Sequence, residues 1–357
     1  MRPIIITGEI FNSDKIFGLS RYGFEVVKGI DDILTRENRK LDVRLCYPND
    51  ESINVGGLKS IRTVPLIREK HYRLGTLRNY INESHGISCN FANELQLYKN
   101  GIVCIHDMRP LDTKGSFDTR CSYKYIFRLR LSIKIMHSTV VTVSEYQRNR
   151  ISALCRIPKD KIYVIGNGWE HILKIDSDEL IFDKLSDVKK EQYFYTLGSV
   201  AKHKNLKWIY EVAKRNPDKT FVIAGDINKN AWGTDTDDYN LQNIIFCGYV
   251  SDEENIALMK NCKAFLFPSL YEGFGIPPLE ALALGRKIIL SNSTCLPEIF
   301  EDTAVYFDPY DYNVNLDALL NEPVGSPNKV LEKYTWKNSA YAWLEFFEKE
   351  IEEREKR

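Results

Sequence analysis

Residues 268–280, Pro-Ser-Leu-Tyr-Glu-Gly-Phe-Gly-Ile-Pro-Pro-Leu-Glu, concentrate types that bind anions and hydroxyl groups. They join an apolar run ending at Phe267 to a helical pattern. Gly273 and Gly275 allow tight turns and close approach of backbone to a ligand. Pro277 and Pro278 suit a first helical turn, where a missing N–H costs little. The N–H groups of Phe274, Gly275 and Ile276 are then expected to point out of the helix start. Unsatisfied donors and partial positive charge make such a start a seat for a diphosphate. Glu272 precedes the helix and Glu280 lies within it. A carboxylate beside a diphosphate is electrostatically unfavourable, so sugar or ribose hydroxyls are its better partners. A plainer assignment makes Glu272 a cap and Glu280 a solvated helix residue. Residue types alone do not choose.

Other candidates are scattered. His106 closes an apolar run and precedes Asp107-Met-Arg109. A histidine at a strand's carboxyl end points toward a ligand crevice, although many single histidines are structural. Asp235-Thr-Asp237 has the spelling of a metal-binding D-x-D element, but no apolar strand feeds it and it reads as a polar surface loop. The eight cysteines include no Cys-x-x-Cys pair, which suits thiols in a reducing cytosol better than a zinc site or disulfides. No metal ligand and no cofactor is expected. Residues 120–134 interleave Arg and Lys with aromatic and aliphatic side chains. They describe either a helix with a buried stripe and a basic solvent face, or a contact with anionic lipid or a lipid diphosphate.

These residues need scaffolds that deliver strand ends to a crevice, and the hydrophobic pattern supplies two. Residues 2–7, 41–47, 102–106, 140–144 and 162–166 are brief apolar runs, the form of buried parallel strands. Helical spacing runs from Arg21 through Phe24, Val27, Ile30 and Leu34, and again over 145–153. After Gly168 the stretch 172–191 is charge-rich and holds no strand. Alternation then restarts, with strands at 193–197, 220–224, 244–247, 264–267, 287–290 and 304–307. Helices fall at 206–214, 252–260 and 279–284. The last helix, 336–357, has Tyr341, Leu344, Phe347 and Ile351 at helical spacing. The expected class is α/β, with two Rossmann-like, doubly wound domains facing a cleft. Their bounds are 1–185 and 186–335, with 336–357 crossing back to the first.

A chain of 357 residues suits two domains better than one core. Lys+Arg and Asp+Glu number 49 each, so net charge gives no reason to expect nucleic acid. The apolar run Ile4–Ile6 is too short for a signal peptide, and no later run approaches a membrane span. A cytoplasmic protein is expected, peripheral at the inner membrane face if residues 120–134 touch lipid.

Glu272-Gly-Phe-Gly-Ile-Pro-Pro-Leu-Glu280 resembles the E-x7-E signature of the retaining, GT-B-fold glycosyltransferases of family 4. Leu197-Gly-Ser, Lys202-His-Lys-Asn205, Phe221-Val-Ile-Ala-Gly-Asp226, Val250-Ser-Asp-Glu-Glu254, Ala281-Leu-Ala-Leu-Gly285 and Leu296-Pro-Glu298 extend the resemblance. Gly18-Leu-Ser-Arg-Tyr22, His106-Asp107, Val143-Ser-Glu145 and Gly166-Asn-Gly168 match more loosely. The resemblance implies that Glu280 holds ribose hydroxyls, that Glu272 and His106 meet the transferred sugar, and that Lys204 pairs with the diphosphate. Gly18, Ser199, Phe274, Gly275 and Ile276 would complete the nucleotide-sugar contacts, with Arg109 in reach of phosphate or acceptor. His203 and Ser199 stand where the family commonly has arginines, which leaves Lys204 as the main cation and Lys202 as a substitute.

The implied reaction moves a hexose or deoxyhexose, of mannose or rhamnose type, from a nucleoside-diphosphate sugar to a hydroxyl of a glycan or lipid-linked saccharide. Cell-surface polysaccharide synthesis is the setting, with retention of configuration and no metal ion. Two other readings are a sugar-nucleotide epimerase of the same fold and a non-catalytic partner protein.

Overall fold

The computed structural model describes residues 2–7, 18–50, 57–91, 98–109, 119–198, 201–225 and 241–356. Two compact units divide the chain: residues 1–111, 118–168 and 334–357 belong to the first, and 169–333 to the second.

In the first unit the sheet strands are β1 (Ile4–Thr7), β2 (Val43–Pro48), β3 (Arg62–Leu66), β4 (Ile87–Asn90), β5 (Ile102–Ile105), β6 (Thr139–Thr142) and β7 (Ile162–Val164). All pairings are parallel, in the order β3-β2-β1-β4-β5-β6-β7. The helices are α1 (Gly18–Glu37), α2 (Thr76–Glu83), α3 (Thr119–Lys134), α4 (Glu145–Cys155) and a C-terminal helix (Trp336–Glu355). Tyr22, Val26, Ile30, Ile33 and Leu34 form the buried stripe of α1, as their spacing requires. Gly29 lets α1 and the C-terminal helix touch, because a Cβ there would lie 2.8 Å from Cβ of Ala340. Trp343 Nε1 then donates to the buried Tyr22 hydroxyl at 2.7 Å. Gly168 answers the same need: a Cβ there would lie 1.9 Å from the Trp336 backbone nitrogen.

The sequence pattern does not announce β3, α2 or β4. Strand β3 is a largely exposed edge strand carrying Pro65, a position where a missing N–H is tolerated. It is anchored by the buried Asp31 carboxylate, whose Oδ1 accepts from Ser60 at 2.8 Å and Ile61 at 2.7 Å. Strand β4 is central and buried, but its sequence Ile-Ser-Cys-Asn carries little apolar signal.

The second unit holds β8 (Tyr193–Leu197), β9 (Thr220–Ala224), β10 (Ile244–Gly248), β11 (Ala264–Phe267), β12 (Ile288–Ser291) and β13 (Val305–Phe307). They pair in parallel in the order β10-β9-β8-β11-β12-β13. Its helices are α5 (Ile181–Lys184), α6 (Leu206–Arg215), α7 (Asp252–Lys260), α8 (Ile276–Ala283), α9 (Leu296–Phe300), α10 (Leu316–Asn321) and α11 (Asn328–Lys333). Trp208 of α6 stacks on Phe307 at 4.0 Å between ring centres, within a core that includes Phe194, Phe221, Leu266 and Ile289.

The division falls at 168/169 rather than at the expected 185/186. Residues 172–188 contribute Ile172, Ile181 and Val188 as buried side chains. They are tied to the first turn of α7 by Asp178 N–H to Glu253 O at 3.1 Å and by the Lys184–Glu254 ion pair at 2.6 Å. Charge-rich composition marked this stretch as a join, whereas its sparse apolar residues make it part of the second unit.

Candidate active site

In a doubly wound sheet the strand order reverses at one point, and the loops leaving the two strands there diverge to open a crevice. In the second unit that point lies between β8 and β11. The loop after β8 carries Lys204 and the loop after β11 carries Glu272, so topology explains their meeting. Lys204 Nζ lies 2.7 Å from Glu272 Oε1, with the side chains 22% and 14% exposed. The ammonium also sits 5.1 Å from the centre of the Phe267 ring. Burial by itself would raise the Glu272 pKa, but the Lys204 charge and hydrogen bond hold it below the ordinary carboxylate value.

Backbone contacts stitch these loops together. Leu270 N–H donates to His203 O at 2.7 Å, and Asn205 Nδ2 donates to Pro268 O at 3.2 Å and Pro309 O at 3.0 Å. Asn205 serves this purpose in the left-handed region, at φ 51°. His203 is buried, so the residue standing in place of the family's arginine contributes to loop packing. From the other side Glu272 N–H donates to Thr294 Oγ1 at 3.2 Å. The buried Cys295 thiol lies 3.4 Å from Glu272 O. Gly198 and Gly225 end β8 and β9 in close backbone contact, since a Cβ on Gly225 would lie 1.6 Å from Gly198 O.

Gly275 is the N-cap of α8 with φ 104°, a conformation that favours glycine. Ile276 is the first helical residue and Pro277 and Pro278 follow it. The two prolines supply no N–H, so the donors that this helix start could offer an anion are those of Gly275 and Ile276 rather than a full first turn. The helix is apolar apart from Glu280, which is buried. Its Oε1 meets His171 Nε2 at 2.8 Å, with the side chains 12% and 4% exposed. Burial thus removes the option of a solvated Glu280, and the Lys204 pair gives Glu272 a partner beyond any cap. The sequence reading missed His171, which lies in a 3-10 turn (Glu170–Lys174) without periodicity.

In the first unit His106 follows β5 directly. Its Nε2 donates to Phe91 O at 2.7 Å, and its ring packs edge-on against Tyr22 at 4.6 Å between centres. Burial lowers its pKa to about 4, only partly offset by the Phe91 carbonyl, so the ring is neutral near pH 7. The following turn is held by Arg109 N–H to Asp107 Oδ1 and by Met108 N–H to Gln147 Oε1, both 3.1 Å. Gln147 N–H in turn meets Ser144 Oγ, the N-cap of α4, at 3.3 Å. Gly18 opens α1 with open space where a Cβ would sit, so no described residue demands glycine there. Arg21 lies inside α1, 3.9 Å from Glu25. Ser199 and Asp235–Asp237 lie outside the described residues. Among the described residues no group of three His, Cys, Asp or Glu side chains could hold a metal ion.

Two parallel doubly wound sheets, the second with its polar cluster at the switch point, define the GT-B fold. Residues 177–335 match the family model for glycosyl transferases group 1. The chain is 25% identical over 288 residues to the serotype-specific mannosyltransferase WbdA of Escherichia coli, covering 74% of this chain and 35% of the relative. It thus spans about a third of the length of the WbdA proteins it matches. It is 26% identical over 280 residues to the O-antigen chain mannosyltransferase RfbU of Salmonella typhimurium, covering 70% of each. Among solved structures, sucrose-phosphate synthase from Thermosynechococcus elongatus superposes with a TM-score of 0.72 at 13% identity, over 98% of this chain and 99% of that one.

Proposed function

We propose that this chain is a retaining glycosyltransferase that uses a nucleoside-diphosphate sugar, with mannose favoured. Its acceptor is a hydroxyl of a glycan or lipid-linked saccharide in cell-surface polysaccharide synthesis. The observation that carries the reading is the Lys204–Glu272 pair at the switch point, on the loops beside the α8 start. The mannosyltransferase names of WbdA and RfbU support the sugar and the setting.

In this reading the donor diphosphate takes Lys204 from Glu272 and rests on the Gly275 and Ile276 N–H groups. Glu272 then accepts from sugar hydroxyls, and Glu280 accepts from the ribose. His106 of the first unit, neutral near pH 7, is proposed separately as a hydrogen-bonding group for a sugar hydroxyl. As the bond from the anomeric carbon to the diphosphate oxygen breaks, charge develops on that oxygen, where Lys204 and the helix start stabilise it. The acceptor oxygen bonds to the anomeric carbon on the same face, and its proton passes to the leaving phosphate oxygen. Fixed cationic charge does here what a metal ion does for other transferases.

A surface contact with the cytoplasmic membrane face belongs to the same reading. On α3 and just beyond it Tyr123, Phe127, Leu131 and Ile135 are exposed four residues apart, with Tyr123 at 70% and Phe127 at 69%. Lys124, Arg128 and Lys134 are exposed beside them. Leu129 and Ile133 face the core instead, and Arg130 donates to Leu154 O at 2.7 Å. An apolar stripe with basic flanks suits a lipid interface and would bring the chain to a lipid-linked acceptor. No helix among the described residues is long and apolar enough to cross a membrane.

The test is a thermal-shift screen of nucleoside diphosphates, followed by transfer from GDP-mannose and UDP-sugars to a lipid-linked saccharide. Stabilisation by one nucleotide and a product of unchanged anomeric configuration are expected. Inversion would remove the retaining assignment. An isomerised donor released without acceptor, or no response to any nucleotide, would overturn the reading.

A further inference from the structure

Glu280 is a buried carboxylate in a helix that is otherwise apolar, and such a group is stable only with a partner. Among the described residues its one hydrogen bond is to His171, at 2.8 Å. The contact joins residues 109 positions apart in sequence, so His171 is carried to α8 by the fold of the 169–188 stretch. An ionised carboxylate only accepts, so Nε2 is the donor and Oε1 the acceptor. A carboxylate has two oxygens, and this bond commits one of them while fixing the plane of the group. Oε2 then accepts in a defined direction.

We propose that His171 is a positioning residue for the donor nucleotide. Its Nε2–H holds Oε1 of Glu280 so that Oε2 receives a ribose hydroxyl. The inference rests on the reading of Glu280 as the ribose acceptor. A merely structural role, pinning the 3-10 turn to α8, would also use this bond. The two roles differ in what they do to recognition of the ribose, because only positioning alters discrimination between a ribonucleotide and its deoxygenated analogue.

The experiment measures binding of GDP and UDP, and of the 2′,3′-dideoxy form of each, by calorimetry. It uses the full chain and the variants Glu280→Gln, His171→Phe, His171→Gln and the His171→Phe/Glu280→Gln double variant. The parent protein is expected to prefer the ribonucleotide by about tenfold, the size of one charge-assisted hydrogen bond. His171→Phe fills the ring's space without a donor and should bring that ratio close to one, leaving dideoxy affinity unchanged. His171→Gln keeps an N–H and should restore most of the preference. The double variant should lose no more discrimination than either single change, as for two residues acting through one contact. If His171→Phe keeps the parent ratio while Glu280→Gln lowers it, the positioning inference fails and the ribose reading stands. Equal weakening of both nucleotide forms by His171→Phe also overturns positioning. If Glu280→Gln keeps the parent ratio, the ribose reading itself fails. Should His171→Phe not fold, His171→Gln with a ratio near one would overturn the inference.

Discussion

Lys204 and Glu272 hold each other's charge in a place where neither is well hydrated, so changing one alters the titration of the other. In the folded protein the Glu272 pKa lies below its usual 4.5. Its stabilising contribution is therefore present above that usual value and is lost as pH falls through the lower folded one. Lys204→Met keeps the apolar stem but removes the charge. Burial then acts on Glu272 without its main counterweight, so the folded pKa rises above the unfolded one and the sign reverses. The variant should lose about 2–3 kcal/mol at pH 7.5, typical of a buried carboxylate left without its cation. It should recover part of that loss as pH falls to 5 and Glu272 takes up a proton. Urea midpoints at several pH values read this directly. An equal loss at both ends of the range would mean that Lys204 does not hold the Glu272 charge. A second test at this scale concerns His106, with its pKa lowered from 6.5 to about 4 by burial. Below pH 6.5 the unfolded chain gains a proton that the folded ring refuses, so stability falls as pH drops through 4, by about 3–3.5 kcal/mol in all. His106→Asn removes that limb of the stability curve.

Elements explain why these residues stay where they are. Trp343 and Trp336 of the C-terminal helix touch Tyr22, and Tyr22 packs against His106. A helix from the end of the chain thus backs a histidine that follows β5. Trp343→Phe retains most of the packing but removes the donor to the buried Tyr22 hydroxyl, and should cost about 1–2 kcal/mol. Trp343→Ala opens a cavity and should cost about 3–5 kcal/mol. Denaturant titration separates the two: a Trp343→Phe variant as stable as the parent would mean that the hydrogen bond contributes nothing, and equal losses would mean that the ring's packing adds nothing to it. The strands of the second unit were legible because they are short apolar runs with Gly, Pro or charged residues at their ends, and β8, β9 and β11 fall where that pattern puts them. Strand β3 escaped because an exposed edge needs no alternation, and β4 because its burial is met by Ser, Cys and Asn. The Gly/Pro punctuation before α8 was likewise legible, whereas Lys204 stood out only by resemblance. His171 was invisible because its meaning depends on a partner 109 residues away, and sequence periodicity reports only neighbours.

At the scale of the whole molecule, equal numbers of acidic and basic residues leave no net charge to draw the chain toward an anionic membrane. The membrane contact proposed above would therefore be local, and the exposed side chains of α3 are the surface proposed for it. The balance of terms favours the apolar part. Each Lys or Arg near an anionic surface contributes about 1 kcal/mol, and salt screens it within a Debye length. Burying a Phe or Leu side chain is worth about 1.5–3 kcal/mol and is indifferent to salt. Phe127→Ala should thus weaken binding to both zwitterionic and anionic vesicles by about tenfold. Arg128→Glu should weaken binding to anionic vesicles alone, and raised salt should remove that difference. Vesicle flotation at low and high salt distinguishes the two variants. If neither change alters flotation while the parent chain still floats, the membrane is met by another surface and the exposed stripe of α3 has a different partner. If the parent binds only anionic vesicles and releases wholly in salt, charge dominates after all, and Phe127 and Leu131 do not enter the interface.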